Sequence, residues 1–232
     1  MKPESYNFEM MTAPARVGWI DASLPSIAVE RLHEYIKTAG KKVDVAHLLA
    51  GNIAEQFDLN DEDNWFFNNY LNYMCRDYLE YFDHDCGTSH LNLDRTRASA
   101  EGVVFSFNPQ EEERYPFKLD NFWVNYQKQG EFNPMHTHSG LFSFAIAIKI
   151  PTKWQDQHAL PFSAKSSLPK TSDFAFQFLS PLGETIEHSI PMGPEREGKL
   201  LFFPAKMDHV VYPFYDCDET RITINGNITY NL

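Results

Sequence analysis

Extended runs of alternating side chains dominate the chain from about residue 100 onward. Such alternation, broken by turn residues, predicts β-strands. The eight runs are residues 103–108, 119–127, 141–150, 174–179, 184–190, 199–204, 209–214 and 221–230. Eight short strands with these breaks favour a double-stranded β-helix, a variety of jelly roll whose barrel can enclose a pocket. We therefore predict a mainly β fold.

Two helical patterns precede these strands. The first begins at Ser26, an N-cap residue after Pro25, and ends at Gly40. The second begins near Asp61 and repeats large apolar residues every three to four positions. Its stripe comprises Phe67, Tyr70, Met74, Tyr78 and Phe82. We interpret this stripe as core that packs on the outer face of one sheet.

The last predicted strand has two different faces. One face carries Arg221, Thr223 and Asn225. The other face is apolar and comprises Ile222, Ile224, Ile228 and Tyr230. The side chains of residues two apart on a strand point the same way, so Arg221 and Thr223 share a face. We expect the apolar face to lie under the helices.

Two further segments bear on a pocket. In the run 141–150, bulky residues alternate with Ser143, Ala145 and Ala147. These small side chains either leave room for a ligand or fit the taper of a filled barrel. Residues 152–173 have little periodicity and contain two prolines. We predict that they form an exposed loop that could serve as a substrate lid.

A chain of 232 residues can bury one sizeable core. We predict a single domain over 1–232, with 1–100 as mainly helical support and 101–232 as the double-stranded β-helix core. Apolar residues at 43% and aromatic residues at 15% are typical of a well-packed protein. The net charge of −12 argues against general nucleic-acid binding and against attraction to anionic membranes.

The cysteines and the N-terminus indicate the compartment. Cys75, Cys86 and Cys217 are odd in number and lack C-x-x-C spacing, so a disulfide framework or a zinc knuckle is not expected. The N-terminal residues lack a hydrophobic signal core, and no apolar run approaches the length of a membrane span. A soluble cytoplasmic protein is the simplest interpretation.

Three histidines form a candidate metal site. His136 and His138 lie two apart where the Asn133-Pro134 loop enters an extended run, so both imidazoles can project from one side of a strand. His209 also lies at the start of a predicted strand. Taken alone, an H-x-H pair is more often a pair of surface or core histidines than a pair of ligands. Together with His209 and the strand pattern, metal binding is the stronger interpretation.

Arg221 and Thr223 form a candidate anion anchor. A guanidinium is a planar fork that matches a carboxylate, and a hydroxyl two residues along can add one hydrogen bond. The competing interpretation for Arg221 is a salt bridge to an acid such as Glu219. The order of the histidines, the arginine and the threonine predicts a site for a metal ion and a dicarboxylate chelator.

With these residues in place, the chain resembles the Fe(II)/2-oxoglutarate-dependent oxygenase superfamily. It most resembles a bacteriophage-encoded group that is prolyl-hydroxylase-like. The shared segments are N-P-x-H-x-H at 133–138, F-P-x-x-x-x-H at 203–209 and R-x-(S/T)-I at 221–224. The resemblance is strong over about 122–232 and weaker before it, although L-L-A-G-N-I at 48–53 also fits the bacteriophage group. It implies a location in the cytoplasm of the host cell if the protein is phage-encoded.

The resemblance implies roles for individual residues. His136, His138 and His209 correspond to the ligands of Fe(II), and Arg221 with Thr223 corresponds to the anchor for the distal carboxylate of 2-oxoglutarate. Tyr126 corresponds to a tyrosine that contacts the same cosubstrate. The implied reaction consumes dioxygen, hydroxylates a substrate and releases succinate and carbon dioxide. No separate general acid or base is required.

His138 departs from the usual pattern of the superfamily, which has Asp or Glu at this position. The expected ligand set of two histidines and one carboxylate becomes three neutral imidazoles. Asp208 is not expected to replace the carboxylate, because neighbouring strand residues point to opposite faces. Asp216, Asp218 or Glu219 could do so only by looping back.

Two other functions are compatible with three histidines. One is a thiol-oxidising dioxygenase that needs no 2-oxoglutarate, although the Arg221-x-Thr223 pair argues against it. The other is a jelly-roll protein that binds metal without turnover. The substrate stays open: peptidyl proline, a free amino acid, a nucleotide base and a small metabolite fit the motifs equally. The histidines that we predict to be non-functional are His33, His47, His84, His90, His158 and His188.

Overall fold

Two antiparallel β-sheets form the framework of the protein. This computed structural model describes residues 7–12, 18–39, 51–86, 117–180 and 182–230. Within these ranges the strands are β1 Asn7–Thr12, β2 Gly18–Ser23, β3 Glu55–Asp58, β4 Phe117–Gln127, β5 Asn133–His136, β6 Phe142–Lys149, β7 Phe174–Leu179, β8 Thr185–Ile190, β9 Lys199–Pro204, β10 Asp208–Val211 and β11 Arg221–Tyr230. The helices are α1 Ser26–Ala39, α2 Asn72–Cys86 and α3 Trp154–His158, with 3₁₀ turns at Glu62–Asn64 and Pro194–Arg196 and a π-helical turn at Phe67–Leu71.

The strand order confirms the predicted double-stranded β-helix. The larger sheet has the order β1-β2-β9-β6-β11-β4-β3, and the smaller sheet has the order β5-β10-β7-β8. From β4 onward the chain passes between the two sheets, and the pairs β4–β11, β6–β9, β5–β10 and β7–β8 close the two layers of a jelly roll. The fold is therefore mainly β, as the alternation predicts.

Most predicted strands lie where the pattern places them. The bounds 174–179, 199–204 and 221–230 agree with β7, β9 and β11. The strand predicted at 103–108 lies outside the described residues. The strands β1, β2, β3 and β5 were not predicted, and the first three extend the larger sheet at its two edges. The single-domain assignment of 1–232 stays a prediction.

The predicted aromatic stripe does cover the outer face of the larger sheet. Tyr70, Met74 and Tyr78 are buried in one cluster with Ile224 and Ile228 of β11. The ring of Tyr78 meets that of Phe142 at 5.3 Å between centroids. Helix α1 adds Leu32 and Tyr35 to the same cluster. Burial of these apolar side chains is the main force that fixes the helices to the sheet.

Asp61 starts the second helical segment, as predicted. Its carboxylate accepts hydrogen bonds from the backbone N–H groups of Phe66 and Phe67, both at 2.8 Å. The hydroxyl of Tyr35 donates to the same carboxylate at 2.9 Å. These bonds satisfy N–H groups that a helix start leaves unpaired, and they tie α1 to the second segment.

Residues 152–173 form a largely exposed segment of turns, as the sequence predicts, apart from one short helix and a few buried residues, and their role as a substrate lid stays a prediction. They contain the short helix α3, and Gln157, Ser163, Ser172 and Asp173 are buried within them. The sequence did not reveal the buried positions, because these residues are polar and have no periodicity. The Gln157 side chain, for example, donates to Tyr215 O and accepts from Tyr215 N at 2.8 and 2.9 Å.

None of the helices within the described ranges combines the length and the apolar character needed to span a bilayer.

Candidate metal centre and adjoining cavity

Three histidines converge at one end of the barrel. The candidate ligand atoms of His136, His138 and His209 lie within 4.8 Å of one another. His209 and His136 are directly opposite each other in the antiparallel pair β10–β5. His138 lies beyond the end of β5, in the loop before β6. Its backbone N–H donates to Ala205 O at 2.8 Å. The prediction that His136 and His138 project from one strand is therefore wrong, although their rings do meet.

Hydrogen bonds at the other ring nitrogen orient two of these imidazoles. His136 Nδ1 lies 2.7 Å from Pro134 O, and His209 Nδ1 lies 2.9 Å from Met207 O. A carbonyl oxygen can only accept, so each Nδ1 carries the proton and each Nε2 keeps a free lone pair. This is the arrangement that metal-binding histidines adopt, because the second hydrogen bond fixes the tautomer and the ring.

The spacing of the nitrogens fits a single cation. His138 Nε2 and His209 Nε2 lie 3.1 Å apart. Imidazole nitrogens bind divalent metals at about 2.1 Å, so two nitrogens at a right angle around one ion are about 3 Å apart. At this distance either His138 Nε2 donates a proton to His209 Nε2, or the lone pairs of both nitrogens bind one ion. The donor set therefore fits one divalent metal ion.

Burial keeps the three rings uncharged near neutral pH. It lowers the pKa of His138 to about 4, with a smaller contribution from His136. Burial also lowers the pKa of His136, and it holds the pKa of His209 well below its usual value. Neutral imidazole is the form that binds metal.

Among the residues that the structure describes, the three-histidine cluster contains no carboxylate. Asp208 is exposed on β10, as the strand geometry predicts. The side chain of Asp218 accepts from Gln129 Nε2 at 2.9 Å, and Glu219 pairs with Lys149 at 2.7 Å. None of these acids takes the place of the missing carboxylate.

A cavity adjoins the histidines inside the barrel. Phe174 links the two, since its ring stacks on that of His209 at 5.6 Å and also lines the cavity. Its other lining residues include Asn125, Gln127, Ala145, Ala147, Met192, Arg196, Lys199, Leu201, Val211, Arg221, Thr223 and Asn225. Within the described ranges, the lining has three basic residues and no acidic one, although the whole chain has a net charge of −12. The cavity is therefore suited to an anion.

The small side chains of β6 do leave space for a ligand. Ala145 and Ala147 line the cavity, and they face Asn225 and Thr223 across the β6–β11 pair. Of the two interpretations of the small residues, the structure favours the open pocket.

Arg221 is a buried cation with no carboxylate hydrogen-bonded to it among the described residues, although the nearby buried Asp173 favours its charged form electrostatically. Its side chain is 1% exposed, and burial lowers its pKa to about 10. Nη2 donates to Ser172 Oγ, and the guanidinium lies 4.8 Å from the ring centre of Phe214. Nε and Nη1 have no hydrogen-bond partner within the described residues. The competing partner, Glu219, is bound to Lys149 instead.

A buried charge that lacks partners is costly, so such groups normally have an ion or a ligand beside them. Arg196, the other arginine of the cavity, illustrates the ordinary arrangement. It forms two hydrogen bonds to Asp21, at 2.7 and 3.1 Å. Arg221 forms no such pair among the described residues, which leaves its donors available to an anion in the cavity.

Thr223 lies where the alternation predicts. It lines the same cavity as Arg221, and its Oγ1 accepts a hydrogen bond from Asn225 Nδ2 at 3.1 Å. The hydroxyl proton is therefore free to be donated elsewhere.

Tyr126 does not line the cavity, and its contact with the cosubstrate stays a prediction. It pairs with Ile222 in the β4–β11 register, so it shares the outer face of the sheet. Its ring centroid lies 5.9 Å from that of Phe57, and the ring packs against the apolar cluster that includes Tyr70 and Ile224. The residues of β4 that line the cavity are its neighbours Asn125 and Gln127. Sequence reasoning missed both, although their register opposite Thr223 and Arg221 places them on the inner face.

His158, which we predicted to be non-functional, is linked to the arginine through Asp173 and its neighbour Ser172. Its Nε2 is 2.8 Å from Asp173 Oδ1. Asp173 follows Ser172, the residue to which Arg221 donates. The spacing of these residues along the chain gives no sign of this arrangement, because it arises only when residues 152–173 pack against β11.

Comparison with known protein families finds a match over the segment that contains the candidate site. Residues 121–227 match the family model described as “Putative 2OG-Fe(II) oxygenase”. This segment includes all three histidines, Arg221 and Thr223. The match confirms the resemblance to the 2OG-Fe(II) oxygenase superfamily. No match to the chain exists among curated proteins.

Solved structures of this superfamily are also similar to the chain. An oxidoreductase of the 2OG-Fe(II) oxygenase family from Burkholderia pseudomallei is 13% identical over 58% of this chain and 52% of its own, with a TM-score of 0.35. This chain thus spans about half the length of that protein. A viral collagen prolyl hydroxylase from Paramecium Bursaria Chlorella virus-1, in complex with 2OG, is 13% identical over 97% and 96%, with a TM-score of 0.43. A prolyl-4-hydroxylase from Pseudomonas putida is 16% identical over 90% and 91%, with a TM-score of 0.44. The fold assignment itself rests on the strand order.

Proposed function

We propose that this chain is an Fe(II)- and 2-oxoglutarate-dependent oxygenase that hydroxylates a small-molecule or peptide substrate. In this proposal His136, His138 and His209 hold the iron, and Arg221 with Thr223 binds the distal carboxylate of 2-oxoglutarate. The observation that carries the proposal is the buried, unpaired guanidinium of Arg221 in a cavity that adjoins three converging imidazoles.

The chain contributes binding and orientation. When bound, Fe(II), 2-oxoglutarate and dioxygen supply the oxidative decarboxylation to succinate and carbon dioxide that is coupled to hydroxylation. Arg221 has two nitrogens free for a carboxylate, and Thr223 can donate its hydroxyl proton to the same group. Phe174, whose ring stacks on that of His209, and Val211 give the cavity apolar surface, which helps to exclude water.

The charges of the two ends of the cavity are complementary to a dicarboxylate. Three neutral imidazoles leave the full charge of a divalent cation uncompensated, and the buried Arg221 supplies a second positive charge. Two separate positive charges in a cavity without lining acids, as described above, favour a ligand with an anionic group at each end. This is a property of 2-oxoglutarate that a monocarboxylate lacks.

The test is the formation of succinate from 2-oxoglutarate by the protein loaded with Fe(II) under air. We expect turnover that requires both Fe(II) and 2-oxoglutarate and that a chelator abolishes. Turnover without an added substrate is sufficient, because slow uncoupled decarboxylation also yields succinate. Equal succinate in the wild type and in the Arg221→Met variant would contradict the proposal.

The absence of a carboxylate among the described metal-site residues favours one second candidate, a three-histidine thiol dioxygenase. That enzyme would consume dioxygen with a thiol and would not respond to 2-oxoglutarate. A non-catalytic metal-binding protein would bind metal and give neither product. Oxygen uptake measured with each compound separately distinguishes the three functions.

His138→Asp tests what the third imidazole does. The substitution restores the ligand set of two histidines and one carboxylate that the superfamily usually has. If succinate formation rises in this variant, the natural three-histidine site is built for something other than ordinary hydroxylation. If it falls, His138 itself supports the reaction.

A further inference from the structure

Ser172 is the one protein acceptor bonded to the Arg221 guanidinium within the described residues. The hydroxyl of Ser172 also donates to Met192 O at 3.3 Å. With its proton directed at that carbonyl, the oxygen presents a lone pair to Arg221 Nη2. The direction of the hydrogen bond is therefore fixed, and the guanidinium is held from one side.

The backbone of Ser172 adopts a conformation that serine rarely takes. Its φ is +78°, in the left-handed region that favours glycine. Ser172 is fully buried, and its N–H donates to Pro213 O at 2.9 Å. Such strain persists where the surroundings over-determine it, and it is often found at binding sites. Glycine would adopt this turn more easily, so the side chain of Ser172 needs a separate explanation.

The neighbouring residues hold the turn in place. Asp173 is fully buried, its N–H donates to Lys170 O at 3.0 Å, and its carbonyl accepts from Tyr212 N at 2.8 Å. Its carboxylate is bonded to His158 of α3 at 2.8 Å. The hydroxyl of Ser172 is thus attached to a rigid segment, and a rigid acceptor can set the orientation of a long side chain.

We propose that Ser172 is a positioning residue that holds Arg221 in the orientation that receives the distal carboxylate of 2-oxoglutarate. The inference rests on the proposed function, because that function identifies 2-oxoglutarate as the ligand of Arg221. Arginine side chains lose rotamer freedom when they bind, and a guanidinium already held in place has less left to lose. Ser172 therefore raises the affinity for 2-oxoglutarate without touching it.

Ser172→Gly is the informative substitution. It removes the hydroxyl and at the same time relieves the left-handed backbone. Asp216→Gly is the matched control, because Asp216 also has a positive φ, of 54°, but is exposed and does not bond to Arg221 among the described contacts. Both variants gain the same backbone freedom, and only one loses the contact with the arginine.

The first measurement is the affinity of 2-oxoglutarate for the Mn(II)-loaded proteins, by calorimetry, with denaturant unfolding in parallel. We expect Ser172→Gly to bind 2-oxoglutarate about 10-fold more weakly, since a hydrogen bond to a charged group is worth about that factor. We expect its unfolding midpoint to change little, because relief of the left-handed backbone offsets the lost hydrogen bonds, and Asp216→Gly to bind as the wild type does. Unchanged affinity in Ser172→Gly, or a loss matched by Asp216→Gly, would overturn the proposal.

A second measurement does not depend on 2-oxoglutarate. The Nε–H signal of Arg221, identified by its loss in Arg221→Met, can be followed by proton–nitrogen NMR of the metal-free protein. We expect faster exchange with water and a shifted signal in Ser172→Gly but not in Asp216→Gly. An unchanged signal would refute the positioning role. If the wild type failed to bind 2-oxoglutarate while this signal changed as expected, the proposed function would fail and the hold on Arg221 would stand.

Discussion

Both faces of β11 are buried, but they differ in whether the buried groups have partners within the protein. On the outer face, Ile224 and Ile228 are fully enclosed by other apolar groups. On the inner face, Arg221 is 1% exposed and leaves Nε and Nη1 without partners in the described residues. The outer face is complete in itself, whereas the inner face is complete only with a ligand. Burial alone does not mark a functional site, but a buried cation with unpartnered donors that lines a cavity indicates one.

This difference separates stability from recognition. The outer face gains free energy by removing apolar area from water, and that gain is independent of any ligand. On the inner face, a desolvated cation lowers the stability of the fold until a ligand binds to it. Substitutions on the two faces should therefore have opposite signatures, with loss of folding on one side and loss of binding on the other.

The largest effect is expected for Arg221→Met, which replaces the cation with an apolar side chain of similar length. Affinity for 2-oxoglutarate should fall by about 2–5 kcal/mol, at least 30-fold, because the carboxylate loses a buried charged partner. The free energy of unfolding should change less than the affinity, because removal of a desolvated cation offsets the loss of its electrostatic interaction with buried Asp173. Calorimetry with Mn(II) and urea unfolding measure the two effects. Unchanged affinity would remove the basis for treating the inner face as a binding surface.

Ile224→Ala is the counterpart on the outer face. Ile224 is fully buried between the helices and the sheet, so its truncation should lower the free energy of unfolding by about 2–5 kcal/mol. The folded fraction should bind 2-oxoglutarate as the wild type does. Urea unfolding gives the first value, and titration well below the unfolding transition gives the second. If affinity fell as much as stability, the two faces would not be separable.

Gly226→Ala should have a smaller effect, on the outer face again. A Cβ at Gly226 would lie 2.5 Å from Phe144 Cζ and 2.7 Å from Asn121 O. The ring and the neighbouring backbone would have to shift, and overpacking of this kind costs about 1–3 kcal/mol. Thermal or urea unfolding detects it. Equal stability of this variant and the wild type would mean that the outer face tolerates more volume than its close packing indicates.

The sequence predicts this fold well because strand alternation is a local property. The bounds of β7, β9 and β11 follow from period-two patterns over six to ten residues. Strand β5 was missed, because it has four residues and includes Pro134, which gives no strand signal. The edge strand β3 is also only four residues long. Its pairing across the sheet, and not a local pattern, defines it.

The candidate site is predictable only where motif and strand geometry coincide. His209, Arg221 and Thr223 lie at the expected positions of β10 and β11. Ser172 was not found, because a serine with positive φ is not a turn signal and its contact with Arg221 spans 49 residues. Long-range contacts of this kind depend on how segments pack, which no local pattern contains.

The smallest effect is expected for Tyr126→Phe, and it tests the comparison from the other side. Tyr126 is one residue from Asn125 and Gln127 on β4, but its side chain lies on the outer face, where burial raises its pKa. Removal of the hydroxyl leaves the ring and its contact with Phe57 in place. The free energy of unfolding should change by less than about 0.5 kcal/mol, as for most substitutions away from a buried hydrogen bond. Affinity for 2-oxoglutarate should stay within about twofold of the wild type, because the side chain lies on the outer face. A twofold change corresponds to about 0.4 kcal/mol. A tenfold loss of affinity would mean that the hydroxyl reaches the cosubstrate after all. Tyr126 would then have to be assigned to the inner, ligand-binding face of β4 and not to its outer face.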